Sequence, residues 1–444
     1  MKWRLIALPG NNVPACIYLK GFGSHLTRLH IMPVSFIFPR LAKLFLFIAK
    51  FFIFLLFTIF CSQYFRSNYY SFAKPAPFSG SYIYNPYSVL RANWLKSNFH
   101  AHTKAWMGLT NGYQTTEEVM SHYKNDLKYD VSCISNYSKA TQYLPAGSPL
   151  YFPVYEHGYN LMKVHQLVFG TKDPCYFDIG LWQLPDNKQY IINHLNEKAS
   201  LISLNHPSLR NGYTRYDLQR LSGYQLMEVL NNYRNNERLW DVALSAGKLS
   251  WIIANDDCHD IRKPDETGIA WTMVNVSANT APVFLEALKN GRCYGVTGNN
   301  GVNNHYLKEV TVTGNTINIR LDSKAGEIKL VGQNGAVKKL IQDSDSISYT
   351  FGTADSYIRA DIKFPGLTMM LNPLVRYNGK DVPVNTCTAL FNPWKTFLIR
   401  LLLLCTWLSA VFMMYKRFRR KRNYPRSITG KKPQRPVINS GSIY

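Results

Sequence analysis

Short apolar runs of strand length recur along the first part of the chain, at 95–100, 129–135, 150–156, 164–169, 200–205, 223–229 and 249–255. Between several of them the apolar residues fall at helical spacing instead, at 115–127, 187–198, 214–221 and 237–246. The first of these helices opens on Thr-Thr-Glu-Glu, a capping-box signature. Strand and helix alternating at this pitch predict an α/β fold built on parallel strands, barrel-like in closure. Beyond about residue 303 the pattern changes. Alternating runs at 309–314, 316–321, 327–331, 337–341, 346–351, 356–362 and 369–371 are separated by Gly, Asn and Asp turns. They predict a small all-β, sandwich-like module.

Two stretches are apolar without a period. One covers 44–65 and the other 397–415. Each approaches the roughly 20 residues that cross a bilayer as a helix. The single basic residue in each, Lys50 or Arg400, lies near enough to an end to snorkel. The run Lys416-Arg-Phe-Arg-Arg-Lys-Arg422 follows the second, as a cytoplasmic flank does. The first stretch has a rival reading as a signal peptide, although no small-residue cleavage site follows it directly. Residues 66–95, rich in proline and aromatics, read as a linker. The expected organisation is a basic cytoplasmic N-terminus at 1–43, a transmembrane helix at 44–65 and an α/β domain at 66–302. A β module at 303–392, a second transmembrane helix at 397–415 and a basic cytoplasmic tail at 416–444 follow. In a bacterium this is a two-pass inner-membrane protein with its large domain in the periplasm.

Charge sharpens that picture. The formal net charge is +24, but residues 1–50 carry seven Lys/Arg, the segment 416–444 carries ten, and Arg400 is one more. The remainder holds 33 basic residues against 27 acidic ones, so no specific nucleic-acid partner is expected. Of the eight cysteines, five lie in the outer part, at 133, 175, 258, 293 and 387, with no CxxC spacing. Neither a disulfide framework nor a zinc ribbon is expected from that pattern.

Metal-ligand side chains stand out against this background. His100-Ala101-His102 and Asp257-Cys258-His259 are each spaced i, i+2, which on a strand puts both side chains on one face. Glu156 in Val-Tyr-Glu-His-Gly and His206 in Leu-Asn-His-Pro-Ser each end an apolar run. In an α/β barrel such strand ends carry the active site. Imidazole and carboxylate ligands suit zinc, manganese or iron. Arg210, four residues after His206, is a candidate for binding a substrate phosphate or carboxylate, or else a loop-surface arginine. Glu228 is a candidate for orienting a ligand histidine.

The joint pattern resembles the PHP (polymerase and histidinol phosphatase) superfamily. The residues that carry it are Asn-Phe-His-Ala-His-Thr at 98–103, Tyr-Glu-His-Gly at 155–158, Asn-His-Pro at 205–207 and Asn-Asp-Asp-Cys-His-Asp at 255–260. Tyr-Asp-Val-Ser-Cys-Ile-Ser-Asn-Tyr at 129–137 and Leu-Met-Glu-Val-Leu-Asn at 226–231 add to it. Within the superfamily the chain is most similar to the carbaryl-hydrolase-like (CehA/McbA) branch, which also ends in a small β domain. Tyr357-Ile-Arg-Ala-Asp361 and Asn372-Pro373 resemble segments of that domain.

The resemblance implies a distorted (β/α)7 barrel with up to three metals and hydrolysis of a phosphoester or related ester. It implies that His100, His102, Glu156 and Asp257 hold one metal. Glu156 would bridge to a second, held by His206 and by His165, for which a core histidine is the alternative. His259 would belong to a third. Here the chain departs from the pattern: Ser135-Asn136-Tyr137 replaces Thr-Asp-His, and the Asp or His expected soon after His102 is missing. Two metals are therefore expected, with His259, beside Asp257, available for acid/base work. The expected partners are a small-molecule ester or phosphoester and the membrane. The competing expectation is a degenerate relative that binds or scaffolds in the envelope, or a β module that binds a glycan or protein partner.

Overall fold

The structure is a computed structural model that describes residues 16–19, 27–30, 34–91, 93–232, 234–380 and 388–422. Most of the basic N-terminal stretch, the tail from 423 on and Cys387 lie outside the described residues. The chain forms two compact units, one of residues 63–403 and another made of the segments before 63 and after 403.

In the larger unit, seven strands carry the residues that matter for function. They are β1 (Asn93–Asn98), β2 (Val131–Ser132), β3 (Val154–His157), β4 (Gln166–Phe169), β5 (Leu201–Leu204), β6 (Leu226–Asn231) and β7 (Trp251–Asn255). β3 to β7 form a five-stranded sheet in sequence order. β6 runs parallel to β5 and β7, but β4 is antiparallel to both β3 and β5. The expected all-parallel arrangement therefore fails at β4. The physical reason is length: the connection 158–165 is too short for a crossover, which takes a dozen or more residues. β1 and β2 pair in parallel within a second, eleven-stranded sheet. Two isolated parallel bridges join the two sheets, Ala101–Cys258 beyond the ends of β1 and β7 and Tyr137–Glu156 between the segment after β2 and β3.

The helices follow the sequence with shifted ends: Thr116–Ser121, Pro185–Asn196, Arg215–Leu218 and Glu237–Ser245. The capping box forms as read, with Glu118 N donating to Thr115 Oγ1 (3.2 Å) and Thr115 N to Glu118 Oε2 (2.7 Å). The predicted helix then continues as a π-helical turn at His122–Asp126. Among the elements that escaped the pattern are β8 (Ala270–Val276), the helix Ala281–Lys289 and β9 (Cys293–Gly298). β8 and β9 are buried on both faces, so neither alternates clearly.

The strands beyond 303 are β10 (Leu307–Thr313), β11 (Thr316–Gly332), β12 (Ala336–Thr350), β13 (Tyr357–Phe364), β14 (Leu367–Leu371) and β15 (Leu374–Tyr377). β11 and β12 each fuse two of the expected short strands, with a register break between Arg320 and Ala325 where a turn was read. β14 pairs with β9, so this all-β region continues the sheet that contains β1 and β2. The expected linker is also structured: Tyr70–Phe72 pairs with Ala389–Phe391, and Tyr82–Tyr84 with β15. Its aromatics Tyr69, Tyr70, Phe78 and Tyr87 are buried, which accounts for the order.

In the smaller unit two helices are long and apolar enough to cross a membrane, Leu41–Arg66 and Pro393–Arg417, each running on into the larger unit at one end. At 1.5 Å per residue each reaches beyond the roughly 30 Å of a hydrocarbon core. Trp407 Nε1 donates to Thr58 Oγ1 (3.1 Å), and its ring stacks on Phe54.

Candidate metal centre

β1 ends in an alternation that sorts side chains by face. Phe99 and Ala101 are wholly buried, and Phe99 meets Phe169 and Phe284 edge-on in the core. His100 and His102 project the other way. Paired asparagines lock this strand end to the end of β7. Asn255 Oδ1 accepts from Phe99 N (2.7 Å), and Asn98 Oδ1 accepts from Asp256 N (2.9 Å). Asp256 in turn receives the backbone N–H groups of Gly268, Ile269 and Ala270, which fixes the loop after Asp257.

Around these ends the structure gathers His100, His102, Glu156, His165, His206, Asp257 and His259. Glu156 is the hub and has no exposure. Its Oε1 lies 3.2 Å from His100 Nε2, 2.8 Å from His165 Nδ1 and 3.2 Å from His206 Nε2, and its Oε2 lies 3.2 Å from His102 Nε2. Asp257 Oδ1 lies 3.1 Å from His100 Nε2 and 3.5 Å from His102 Nε2. Three of the resulting ligand groups are His100/His102/Glu156, Glu156/His165/His206 and His102/Asp257/His259. Glu228 joins a fourth with His100 and His206.

Two of these residues are held in the left-handed region, His206 at φ 26° and Asp257 at φ 51°. For a histidine that backbone is strained, and such strain persists where the surroundings over-determine it. Asp257-Cys258-His259 is thus a turn beyond β7 rather than the expected strand. Cys258 still points into the core, and His259 Nδ1 reaches back 2.8 Å to the Asp257 carbonyl. That bond places the ring proton on Nδ1 and leaves Nε2 as the acceptor.

Sequence reading placed Glu228 beside the site, and its contacts explain why. Its Oε1 meets His100 Nδ1 (3.1 Å) and Asn255 Nδ2 (3.0 Å), and its Oε2 accepts from His206 N (2.9 Å). A register shift between Glu228 and Leu230 accompanies this placement on β6. Tyr137 stacks on His102 at 4.6 Å, opposite His259 at 4.5 Å. Asn136 accepts from Thr103 N and donates to Thr103 Oγ1, so it organises the loop. Arg210 is exposed at the rim, with Nη1 donating to Leu161 O (3.3 Å), and is not drawn into the cluster. His157, next to Glu156, is held elsewhere by Gln166 and the Phe177 carbonyl. Lys163 went unnoticed in sequence: its Nζ lies 5.8 Å from the Tyr137 ring centre, and no motif marks it.

Electrostatics inside this cluster oppose burial. Burial alone would raise Glu156, but the imidazoles of His165 and His100 outweigh it and hold the carboxyl well below its ordinary range. Burial would lower His100, yet Asp257, Glu156 and Glu228 hold it well above its usual value. His259 goes the other way, pushed down to about 4 by burial and by His102.

The donor set fits a divalent metal. His100 Nε2, His102 Nε2, Glu156 Oε2, Asp257 Oδ1 and His259 Nε2 are buried and lack a hydrogen bond. Each such atom would cost about 1–3 kcal/mol if nothing satisfied it. They point at one another at near-contact distances without bonding geometry, as ligands of a shared cation do.

No family model matches the chain. No curated protein matches it either. Among solved structures, one similar to it is a two-domain protein containing a predicted PHP-like metal-dependent phosphoesterase from Bacteroides vulgatus ATCC 8482. The similarity covers 72% of this chain and 99% of that one, at 12% identity and a TM-score of 0.37. At that distance the likeness adds no weight to the residue geometry.

Proposed function

We propose that the chain is a membrane-anchored, metal-dependent hydrolase of a phosphoester or related ester, built on the PHP ring of seven strands. The observation that carries this reading is the convergence on Glu156 of imidazoles from three separate strand ends: His165 Nδ1 and His206 Nε2 bond its Oε1, while His100 Nε2, His102 Nε2 and Glu156 Oε2 face one another unbonded. The two bridges that link β1 to β7 and β2 to β3 support closure of the ring. In this reading His100, His102, Glu156 and Asp257 hold one ion, and Glu156, His165 and His206 hold a second. Bound there, the ions supply Lewis-acid polarisation of the ester and a more acidic water. Glu228 fixes the tautomer and angle of His100 and holds the His206 backbone. His259 presents a neutral Nε2 able to accept a proton from water. Tyr137 packs its ring face on His102, a stacking role in place of the family's ligand.

Metal analysis of the purified protein, together with a screen of phosphomonoesters, phosphodiesters and carboxyl esters, tests this. About two transition-metal ions per chain are expected. Glu156→Ala should remove most of them, His259→Ala should cut turnover while sparing metal, and Tyr137→Phe should leave the stoichiometry unchanged. Loss of an ion from either of the last two would show a three-ion site. No metal uptake from zinc, manganese or iron would favour an envelope-binding module instead.

A further inference from the structure

Within residues 63–403 the end of the first apolar helix is tied to two connections beside the metal centre, 158–165 and 170–184, and the second helix is tied to Asp186, just after them, and to the end of the first. Gln63 Nε2 donates to Tyr159 Oη (3.1 Å), Gln63 Oε1 accepts from Gly180 N (3.1 Å), and Tyr64 Oη donates to Trp182 O (2.6 Å). From the second helix, Lys395 Nζ pairs with Asp186 (2.8 Å), and Arg400 Nε donates to Phe65 O (2.8 Å). Hydrogen bonds join the two connections. Buried Asp178 accepts from Tyr159 N, Asn160 Nδ2, Ile179 N and Gln183 Nε2. Leu161 N donates to Gly180 O (3.0 Å).

The first of these connections, 158–165, runs between Glu156 and His165 of the metal centre. Tyr159 is three residues from Glu156, a reach of about 10 Å at most. Asn160 bonds both N and O of Val164, the residue before His165. The Leu161 carbonyl holds Arg210, and Lys163 stands over Tyr137. The side chains this region turns outward are apolar or amphipathic: Tyr159 is 56%, Leu161 49% and Trp182 61% exposed. A second apolar element borders the centre just after His102. There Met107 is 99% and Leu109 85% exposed, while Trp106 Nε1 bonds the Tyr137 carbonyl.

We propose that the substrate is a phosphoester carried by a lipid of the membrane leaflet in which the ends of the two helices lie. This rests on the hydrolase and membrane readings above. If residues 63–66 and 393–403 end spans, they sit at the level of the lipid head groups, and Tyr159, Leu161 and Trp182 sit there with them. Glu156 and His165 are then within a few residues of the head-group layer, with Lys163 and Arg210 beside it to attract a phosphate. The projecting Met107 and Leu109 suit contact with acyl chains. In the reaction a water oxygen adds to phosphorus and the phosphorus–oxygen bond to the lipid or head-group alcohol breaks. That alcohol leaves with a proton of the same water.

The test uses the full chain in metal-loaded proteoliposomes. One arm presents phosphatidic acid, phosphatidylglycerol or phosphatidylethanolamine in the vesicle. The other offers the matching soluble head groups, glycerol 3-phosphate, glycerophosphoglycerol and glycerophosphoethanolamine. A lipid should be hydrolysed in preference to its soluble counterpart. The double variant Met107→Ser/Leu109→Ser, and separately Trp182→Ala, should lower the lipid rate about tenfold, the factor that partial burial of an aromatic or long aliphatic side chain is worth. Neither should change hydrolysis of a soluble aryl phosphate. Because these side chains are exposed, and Trp182 bonds Tyr64 through its backbone, folding is spared. Soluble esters hydrolysed as fast as lipids, or variants that slow both arms equally, would overturn the lipid assignment and leave the hydrolase standing. Turnover of the aryl phosphate with neither arm turned over would overturn the lipid assignment alone, and no turnover of any of these phosphoesters by metal-loaded protein would overturn the phosphoesterase reading with it.

Discussion

At the scale of single residues, the balance of charge around His100 makes a pH prediction. Without metal, His100 and His206 have values raised by the neighbouring carboxylates. A raised imidazole stabilises the fold fully below its unfolded value of about 6.5, and that stabilisation disappears as pH climbs through the folded value. Metal ligation has the opposite dependence, because the ligands must lose their protons. The melting temperature of chelator-treated protein should therefore fall above about pH 6.5 while that of zinc-loaded protein does not, so the gap widens towards pH 9. A gap that narrows with rising pH would mean that His100 and His206 are not the ligands. Much of this residue-level chemistry was legible beforehand. The i, i+2 spacing at His100 and His102 needs only an extended backbone, and the backbone there is extended. The same spacing at Asp257 and His259 does not decide geometry, because a left-handed residue ends the alternation.

At the scale of elements, the hairpin of β3 and β4 brings His165 back onto Glu156. Gly158 permits the return. Its φ is +124°, and a Cβ there would lie 2.6 Å from His165 Cδ2 and 2.7 Å from the Val164 carbonyl. Gly158→Ala should cost about 2 kcal/mol or more in denaturant unfolding and should weaken metal binding through displacement of His165. Full retention of both would show that the loop relaxes freely. Periodicity located both strands of this hairpin but assumed a parallel crossover. The decisive quantity, an eight-residue connection, was in the sequence all along. By contrast, β8 and β9 left no pattern to read, because a strand covered on both faces has no reason to alternate.

At the scale of the whole molecule, the segments that resembled a terminal β domain serve as fasteners to the α/β part. Arg359 on β13 pairs bidentately with Asp241 on the helix Glu237–Ser245, at 2.8 and 2.7 Å, and also pairs with Asp361. Tyr357 Oη donates to the same Asp241 (2.9 Å). Asn372 accepts from Ile252 N on β7 (2.8 Å) and donates to the carbonyls of Gly291 and Cys293. Arg359→Ala strands a buried carboxylate pair and should destabilise residues 63–403 as one unit by about 3–5 kcal/mol in denaturant melts. Separate melting of the α/β and β regions would contradict that coupling. The proposed topology has its own check. In that proposal the basic residues at 416–422 and Lys43 would keep both termini in the cytoplasm. A reporter active only in the periplasm should work when fused near residue 300 and fail when fused after Tyr444. The reverse would remove the compartment assignment and leave the metal chemistry untouched.

Local pattern and side-chain chemistry by themselves determined the α/β character, the two long apolar helices and the histidines and carboxylates that gather where the strands end. Those properties depend on nearest neighbours and on the periods of helix and strand, which a linear chain displays. Tertiary structure alone decided that the sheet continues from β9 into β14. It also decided that Tyr137 stacks where a ligand was absent, and that the loop carrying Tyr159 reaches the end of the first apolar helix. Each of these depends on the pairing of surfaces far apart in sequence, and a pairing leaves no period in either partner alone.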